Sequence, residues 1–195
     1  MFTGIISHLG EVTSNQDNSL RISSPLALFS HLTLGMSIAV NGICLTVTKQ
    51  EDPHFFYIDF MPETAQKTTI QYLKKGMKVN LELPATPNTF LAGHVVQGHV
   101  DAVSKIINIE EEGNSHLFTF SLKPSISRYL VDKGSIAVNG ISLTVITATK
   151  DNFTVGIIPH TWSHTMLHQL KPGDHVNIEV DVLAKYVEKM IANNK

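Results

Sequence analysis

One cysteine, Cys44, occurs in 195 residues. No intrachain disulfide can form and no cluster of thiolate metal ligands can be assembled, so a reducing cytoplasm is the expected compartment. Charge of one sign is equally scarce: 15 Lys and Arg against 17 Asp and Glu leave a net charge of −2, with no basic cluster. Phosphate neutralisation needs such a cluster, so nucleic acid is not an expected partner. No apolar run approaches the ~20 residues of a membrane-spanning helix, and no membrane is expected either. The opening MFTGIISHLGEV has no basic region and no long apolar core, and does not read as a secretory signal. Long helices alternating with strands are missing, which disfavours a parallel α/β sheet.

What is present is a repeat. Residues 37–47 read SIAVNGICLTV and residues 135–145 read SIAVNGISLTV, differing only at Cys44 against Ser142. Met61-Pro62-Glu63-Thr64 answers Ile158-Pro159-His160-Thr161, and LKKGMKVNLEL from Leu73 answers LKPGDHVNIEV from Leu170. Upstream, Thr3-Gly4-Ile5-Ile6 answers Gln97-Gly98-His99-Val100. Two copies of one unit therefore fill the chain, a first domain over 1–94 and a second over 95–183. Each copy is a series of short Val-, Ile-, Phe- and Thr-rich segments punctuated by Asn41-Gly42, Lys75-Gly76, Asn139-Gly140 and Pro172-Gly173. That pattern predicts an all-β fold with a small closed antiparallel barrel per copy. The tail, 184–195, differs. Leu183, Val187, Met190 and Ile191 recur at helical spacing, which predicts a helix packed on its barrel or joining subunits.

Duplicated barrels imply two similar pockets, able to hold two similar ligands. Opposed pockets suit a molecule that reacts with a copy of itself, because orientation removes much of the entropic barrier. Matched positions that diverge are then candidates for division of labour: Cys44 against Ser142, Glu63 against His160, Ile5 against His99.

The segments MFTGII, VNGICLTV, MPET, GHVVQGHVD, SIAVNGISLTV, IIPHT and VNIEVDVLAKYVEKM, in this order over essentially the whole chain, resemble the riboflavin synthase alpha-chain family. The resemblance implies two tandem six-stranded Greek-key barrels, a C-terminal trimerisation helix and a homotrimer, with possible association with lumazine synthase. It implies a dismutation in which two molecules of 6,7-dimethyl-8-ribityllumazine exchange a four-carbon unit. The products are riboflavin and 5-amino-6-ribitylaminouracil, and neither a metal nor an organic cofactor is needed.

Carried over by position, the resemblance implies a first pocket of Gly4, Ile5, Ile6, Cys44, Leu45, Thr46, Asp59, Phe60, Met61, Pro62, Glu63 and Thr64. The second would hold Gly98, His99, Val100, Lys133, Ser142, Leu143, Thr144, Gly156, Ile157, Ile158, Pro159, His160 and Thr161. Cys44, His99, Ser142, Asn139 and Thr144 form the catalytic set, with His99 the candidate proton carrier. Many family members have Asp before the glycine of the second motif; here it is Asn139, so Ser142 lacks an ionisable partner at that position. Asp181 matches a further acidic position.

Other features read blandly. His160, His164 and His168 have a spacing that suggests zinc on a long helix, but Pro159 and the barrel register argue against one. GHVVQGH lacks the Lys-Ser/Thr of a phosphate loop. Glu110 to Glu112 reads as a solvated turn, the stretch from Lys123 to Arg128 as a short helix or irregular turn, and Trp162 as packing or rim contact. The alternative function is a non-catalytic lumazine or flavin antenna. In such a protein one barrel's motif should be eroded, and here both are intact.

Overall fold

The computed structural model describes residues 1–51 and 54–192, and folds them as two closed six-stranded antiparallel barrels followed by a helix. The first barrel contains β1 (His8–Gln16), β2 (Ser19–Ser23), β3 (Ser37–Val40), β4 (Ile43–Glu51), β5 (Phe55–Asp59) and β6 (Lys78–Glu82). Helix α1 (Leu26–Phe29) precedes β3, while α2 (Pro62–Lys67) and a 3-10 turn, Thr69–Tyr72, precede β6. The second barrel contains β7 (Ala102–Glu112), β8 (Ser115–Ser121), β9 (Ser135–Val138), β10 (Ile141–Ala148), β11 (Asn152–Ile157) and β12 (His175–Val180). Its helices are α3 (Pro124–Ser127), α4 (Pro159–His164) and a 3-10 turn, Met166–Gln169. Helix α5 (Val182–Ala192) closes the description, starting two residues before the expected boundary; residues 193–195 of the expected helix lie outside it.

Strand order around the first barrel is β1-β2-β5-β4-β3-β6, and the second follows the same path as β7-β8-β11-β10-β9-β12. Even the bulges repeat: β1 and β7 slip register at Val12/Ser14 and Ile106/Asn108, β4 and β10 at Val47/Lys49 and Val145/Thr147. Alternation fills each interior, with Leu20, Ile22, Phe56, Ile58, Val79 and Leu81 buried in one barrel, and Phe118, Phe120, Phe153, Val155, Val176 and Ile178 in the other. Glu110 to Glu112 are not a turn. They pair with β8, and only Gly113 and Asn114 turn, because an exposed hairpin end can ladder its backbone while its carboxylates stay in water.

The barrels meet at their matched turns. Asn41, Gly42, Asn139 and Gly140 all have positive φ, as a two-residue hairpin requires. Glycine is needed for a second reason, since a Cβ on Gly42 would stand 2.5 Å from the Gly140 nitrogen. Around this contact a buried asparagine lattice joins the halves. Asn80 Nδ2 donates to the Asn139 carbonyl at 3.0 Å, and Asn177 Nδ2 to the Asn41 carbonyl at 2.8 Å. Thr69 and Met166 donate their N–H groups to Asn177 Oδ1 and Asn80 Oδ1, both at 2.8 Å. Asn41 and Asn139 in turn accept, through Oδ1, the N–H groups of Asn80 and Asn177. Every one of these bonds has its counterpart in the other copy, so the seam has approximate twofold symmetry.

The leader segments cross on the same axis. Phe2 and Val96 exchange both backbone hydrogen bonds, at 2.7 and 3.1 Å. Beyond the crossing, Ile6 packs on the core of the second barrel and Val100 on that of the first. The copies have exchanged leaders.

Candidate functional site

Cys44 and Ser142 each stand two residues beyond an Asn-Gly turn, on β4 and β10, and each meets the other copy's leader. Cys44 N donates to the Gly98 carbonyl at 2.9 Å; Ser142 N donates to the Gly4 carbonyl at 2.8 Å. Contact is too close for a side chain: a Cβ on Gly98 would lie 2.6 Å from that of Cys44, and one on Gly4 would lie 2.6 Å from that of Ser142.

This corrects the pairing expected from the sequence, which set Gly4, Ile5 and Ile6 beside Cys44 and Gly98, His99 and Val100 beside Ser142. The exchanged leaders reverse it. A cavity of about 220 Å³ on the first barrel is lined by Ile43, Cys44, Met61, Glu63, Thr64, Lys67, Thr68, Gly98, His99 and Val100. His99 is thus the imidazole of the cysteine cluster.

The serine cluster has its own imidazole. His94, from the linker between the copies, is buried with Nδ1 2.7 Å from Ser142 Oγ. Burial pushes His94 below the ordinary histidine range, and the nearby Asp181 charge opposes that shift. The neutral ring that results can accept the serine proton at Nδ1. Its Nε2 is buried without a hydrogen-bond partner among the described residues.

Two buried carboxylates hold the leaders in place. Glu179 accepts from the N–H groups of Gln97, Gly98 and His99 at 2.6, 2.8 and 3.0 Å. Glu82 accepts from Thr3 N and Oγ1 at 2.7 and 2.8 Å, and from Gly4 N at 3.1 Å. Burial raises both above the usual carboxylate range, and the amide donors pull against it.

The other expected residues fall into groups. Leu45, Leu143 and Ile157 point into the barrel cores, so only their backbones can face a ligand. Thr46, Thr144 and Asp59 are exposed. Phe60 packs on the first core, and Gly156 lies in β11 opposite Leu117. Met61, Pro62, Glu63 and Thr64 open α2, where Glu63 pairs with Lys67 at 2.5 Å, while Ile158, Pro159, His160 and Thr161 open α4. Lys133 sits on an exposed turn, bonded through its backbone to Val145, and within one chain it joins neither cluster.

The Asn139 side chain, expected beside Ser142, is bonded elsewhere. Its Oδ1 accepts from Asn177 N at 2.8 Å and its Nδ2 donates to Met166 Sδ at 3.3 Å, so the side chain is committed to the seam. The histidine series is broken by the helix ending at His164. His160 and His164 stack at 4.2 Å, and among the described residues no group of three metal-ligating side chains forms.

Of the residues brought together here, Glu82, Glu179, Asn80 and Asn177 escaped the sequence reading, and His94 reads from sequence only as an ambiguous histidine of GHVVQGH. A signal existed for four of them: a polar residue kept at the same place in both copies of an otherwise apolar strand, V-N-L-E against V-N-I-E. His94 gave no such signal, because nothing in GHVVQGH marks which of its two histidines reaches Ser142.

Comparison with known proteins agrees with this architecture. The family model described as Lumazine binding domain matches residues 3–84 and again 97–181. Riboflavin synthase of Bacillus subtilis (strain 168) is 41% identical over 194 residues, covering 98% of this chain and 90% of that protein. Riboflavin synthase of Photobacterium phosphoreum is 39% identical over 199 residues, covering 100% and 91%. Among solved structures, LumP complexed with 6,7-dimethyl-8-(1'-D-ribityl) lumazine superposes with a TM-score of 0.82 at 25% identity, covering 92% of this chain and 99% of that one.

Proposed function

The chain belongs to the riboflavin synthase family of lumazine-binding proteins, and from that premise we infer how its two clusters divide the family's transferase reaction. The reaction is the dismutation of two 6,7-dimethyl-8-ribityllumazine molecules to riboflavin and 5-amino-6-ribitylaminouracil. The observation that carries our reading is that each half-site brings one nucleophile-type side chain together with one imidazole: Cys44 and His99 line one cavity, and Ser142 is hydrogen-bonded to His94.

Each barrel takes one lumazine. Leader backbone, the strand edge after the Asn-Gly turn and the first turn of α2 or α4 supply donors and acceptors to the heterocycle and its ribityl chain. In the serine half-site, neutral His94 takes the hydroxyl proton as Ser142, or a water in its place, adds to one lumazine and makes it the electrophile. In the cysteine half-site, His99 carries the proton lost from the 7-methyl group of the other lumazine. Much of that acidity belongs to the lumazine, so placement contributes more than any single side chain.

The productive site lies between the first barrel of one subunit and the second barrel of its neighbour in a homotrimer. In support, Val187 and Ile191 of α5 stand exposed and line a groove with Val131 and Tyr129, an apolar strip suited to a second copy. Lys133 reaches a ligand from the neighbouring subunit in this arrangement. We keep 1–94 and 95–183 as the two domains, with leaders exchanged, and 184–195 as the trimerisation segment. Cytoplasmic residence fits the single free thiol, and no described helix is long and apolar enough to cross a membrane. Contact with lumazine synthase, which would supply the substrate, belongs to the same reading.

The test is optical. Purified protein with 6,7-dimethyl-8-ribityllumazine should develop riboflavin absorbance with no added cofactor. Stable lumazine fluorescence without flavin would instead make the chain an antenna like LumP. Sedimentation as a monomer at working concentration would contradict the shared site.

A further inference from the structure

Helices α2 and α4 occupy matched places in the two barrels but carry different side chains, most of all at one position. Trp162, the only tryptophan of the chain, follows Thr161 in α4. Its indole lies flat on His116 of β8, ring centres 3.8 Å apart and planes 10° apart. His168 meets the same indole edge-on at 6.4 Å, and Phe118 lies tilted against it at 6.1 Å. In the first barrel, the register puts Ala65 where Trp162 stands, Asn18 where His116 stands and Gln71 where His168 stands.

His116 Nδ1 is buried with no hydrogen-bond partner among the described residues. The ring is therefore placed for its face and not for a polar bond at that nitrogen. Helix α4 needs outside support. It is six residues long with no side-chain cap, and so short a helix has little stability of its own. Helix α2 carries the Glu63–Lys67 pair along its surface, where α4 has only His160 and His164.

We propose that Trp162 and His116 are positioning residues whose stack pins α4 to the barrel wall and so places Ile158 to Thr161 against the ligand of the serine half-site. The proposal rests on the functional reading above. Trp162 then reports on that half-site alone, because the chain has no other tryptophan.

The experiment uses the full-length chain, 6,7-dimethyl-8-ribityllumazine, steady-state riboflavin formation and tryptophan emission. Losing one aromatic stack should raise KM about three- to tenfold in His116→Ala, with kcat changed less than KM. Quenching of Trp162 emission by bound lumazine should weaken in the same variant. His116→Phe restores a flat ring and should return both readouts to near wild type. Wild-type KM and quenching in His116→Ala overturn the proposal, as does a His116→Phe enzyme that behaves like the alanine variant. Should His116→Ala fail to fold, Trp162→Phe against Trp162→Leu decides: a lower KM for the ring-bearing variant supports the stack, and equal values overturn it. A wild-type protein that forms no riboflavin defeats the functional reading, and the same variants are then compared by lumazine binding.

Discussion

Replacing Glu179 by Gln probes whether a buried carboxylate organises the cysteine half-site. Glu179 Oε1 takes one amide, that of Gln97, and Oε2 takes two, those of Gly98 and His99. A glutamine can keep its oxygen on the pair, but its NH2 then faces the Gln97 N–H, donor against donor. One charge-assisted bond of about 1.5–3 kcal/mol is lost, and two others weaken to neutral strength. Burial holds this carboxyl above its usual range, so relief of the charge offsets the weakening of the retained bonds, and the net loss is that of the donor-against-donor contact, about 1–3 kcal/mol. For a chain of this size that is a fall in Tm of roughly 3–12 °C. A local readout comes from Cys44, the only thiol, whose N–H is bonded to the Gly98 carbonyl. Loosening of the leader should speed its modification by a disulfide reagent several-fold. Glu82→Gln is the matched control: it should lower Tm comparably while leaving the thiol rate near wild type, because Glu82 holds the leader that faces Ser142. A Glu179→Gln protein that melts within about 2 °C of wild type, with unchanged thiol reactivity, refutes the argument.

Three further outcomes follow from the same geometry. Ser142→Ala and His94→Gln should each cut kcat about 10²-fold or more in a riboflavin absorbance assay with little change in melting, and the double variant should be no worse than the weaker single one. Because burial depresses His94 below the usual 6.5, the unfolded chain takes up that proton first as pH falls. Stability is therefore complete above the unfolded value and declines as pH drops through it towards the folded one, and His94→Gln should flatten this slope in urea titrations. Asn177→Ala strands the Thr69 N–H and the Asn41 carbonyl inside the seam and should cost about 2–6 kcal/mol by denaturation. Asn139→Asp, by contrast, keeps the acceptor for Asn177 and should leave turnover per folded molecule unchanged.

The barrels were legible because duplication wrote each of them twice. SIAVNG appears at both seam turns, and alternation in β2, β5, β8 and β11 marks the inward faces without ambiguity. Which leader meets which barrel was not legible. Thr3 to Ile6 and Gln97 to Val100 resemble each other enough to fit either place, and sequence order suggests that a segment serves the barrel it precedes. The crossing is decided by long-range contacts, the Phe2–Val96 pair and the packing of Ile6 and Val100, which leave no periodicity to read. Asn139 misled for a related reason. Three residues from Ser142, it looked like a partner of the hydroxyl, yet a tight turn points it into the seam. The α5 strip of Leu183, Val187, Met190 and Ile191 did show at helical spacing, because a helix face repeats locally.

The exchange of leaders changes what the duplication means chemically. Without it, each copy would build its own pocket, and the Ile5-to-His99 difference would mark the second barrel. With it, the linker Gly93 to Val100 crosses the twofold seam at Val96 and sends one imidazole each way, His94 to Ser142 and His99 to Cys44. The first copy's leader brings the Gly4 carbonyl to Ser142 and carries no histidine between Thr3 and Ile6, so both imidazoles come from the linker. Each half-site thereby acquires a nucleophile-type side chain and an imidazole, although their environments differ. His94 is buried and held neutral, whereas His99 is exposed beside a cavity. On the proposed reading, one lumazine accepts a nucleophile while its twin loses a proton, and that asymmetry would serve the two roles. Two faithful copies of one barrel would not differ there; the two linker histidines and the Cys44-to-Ser142 difference make these half-sites unlike.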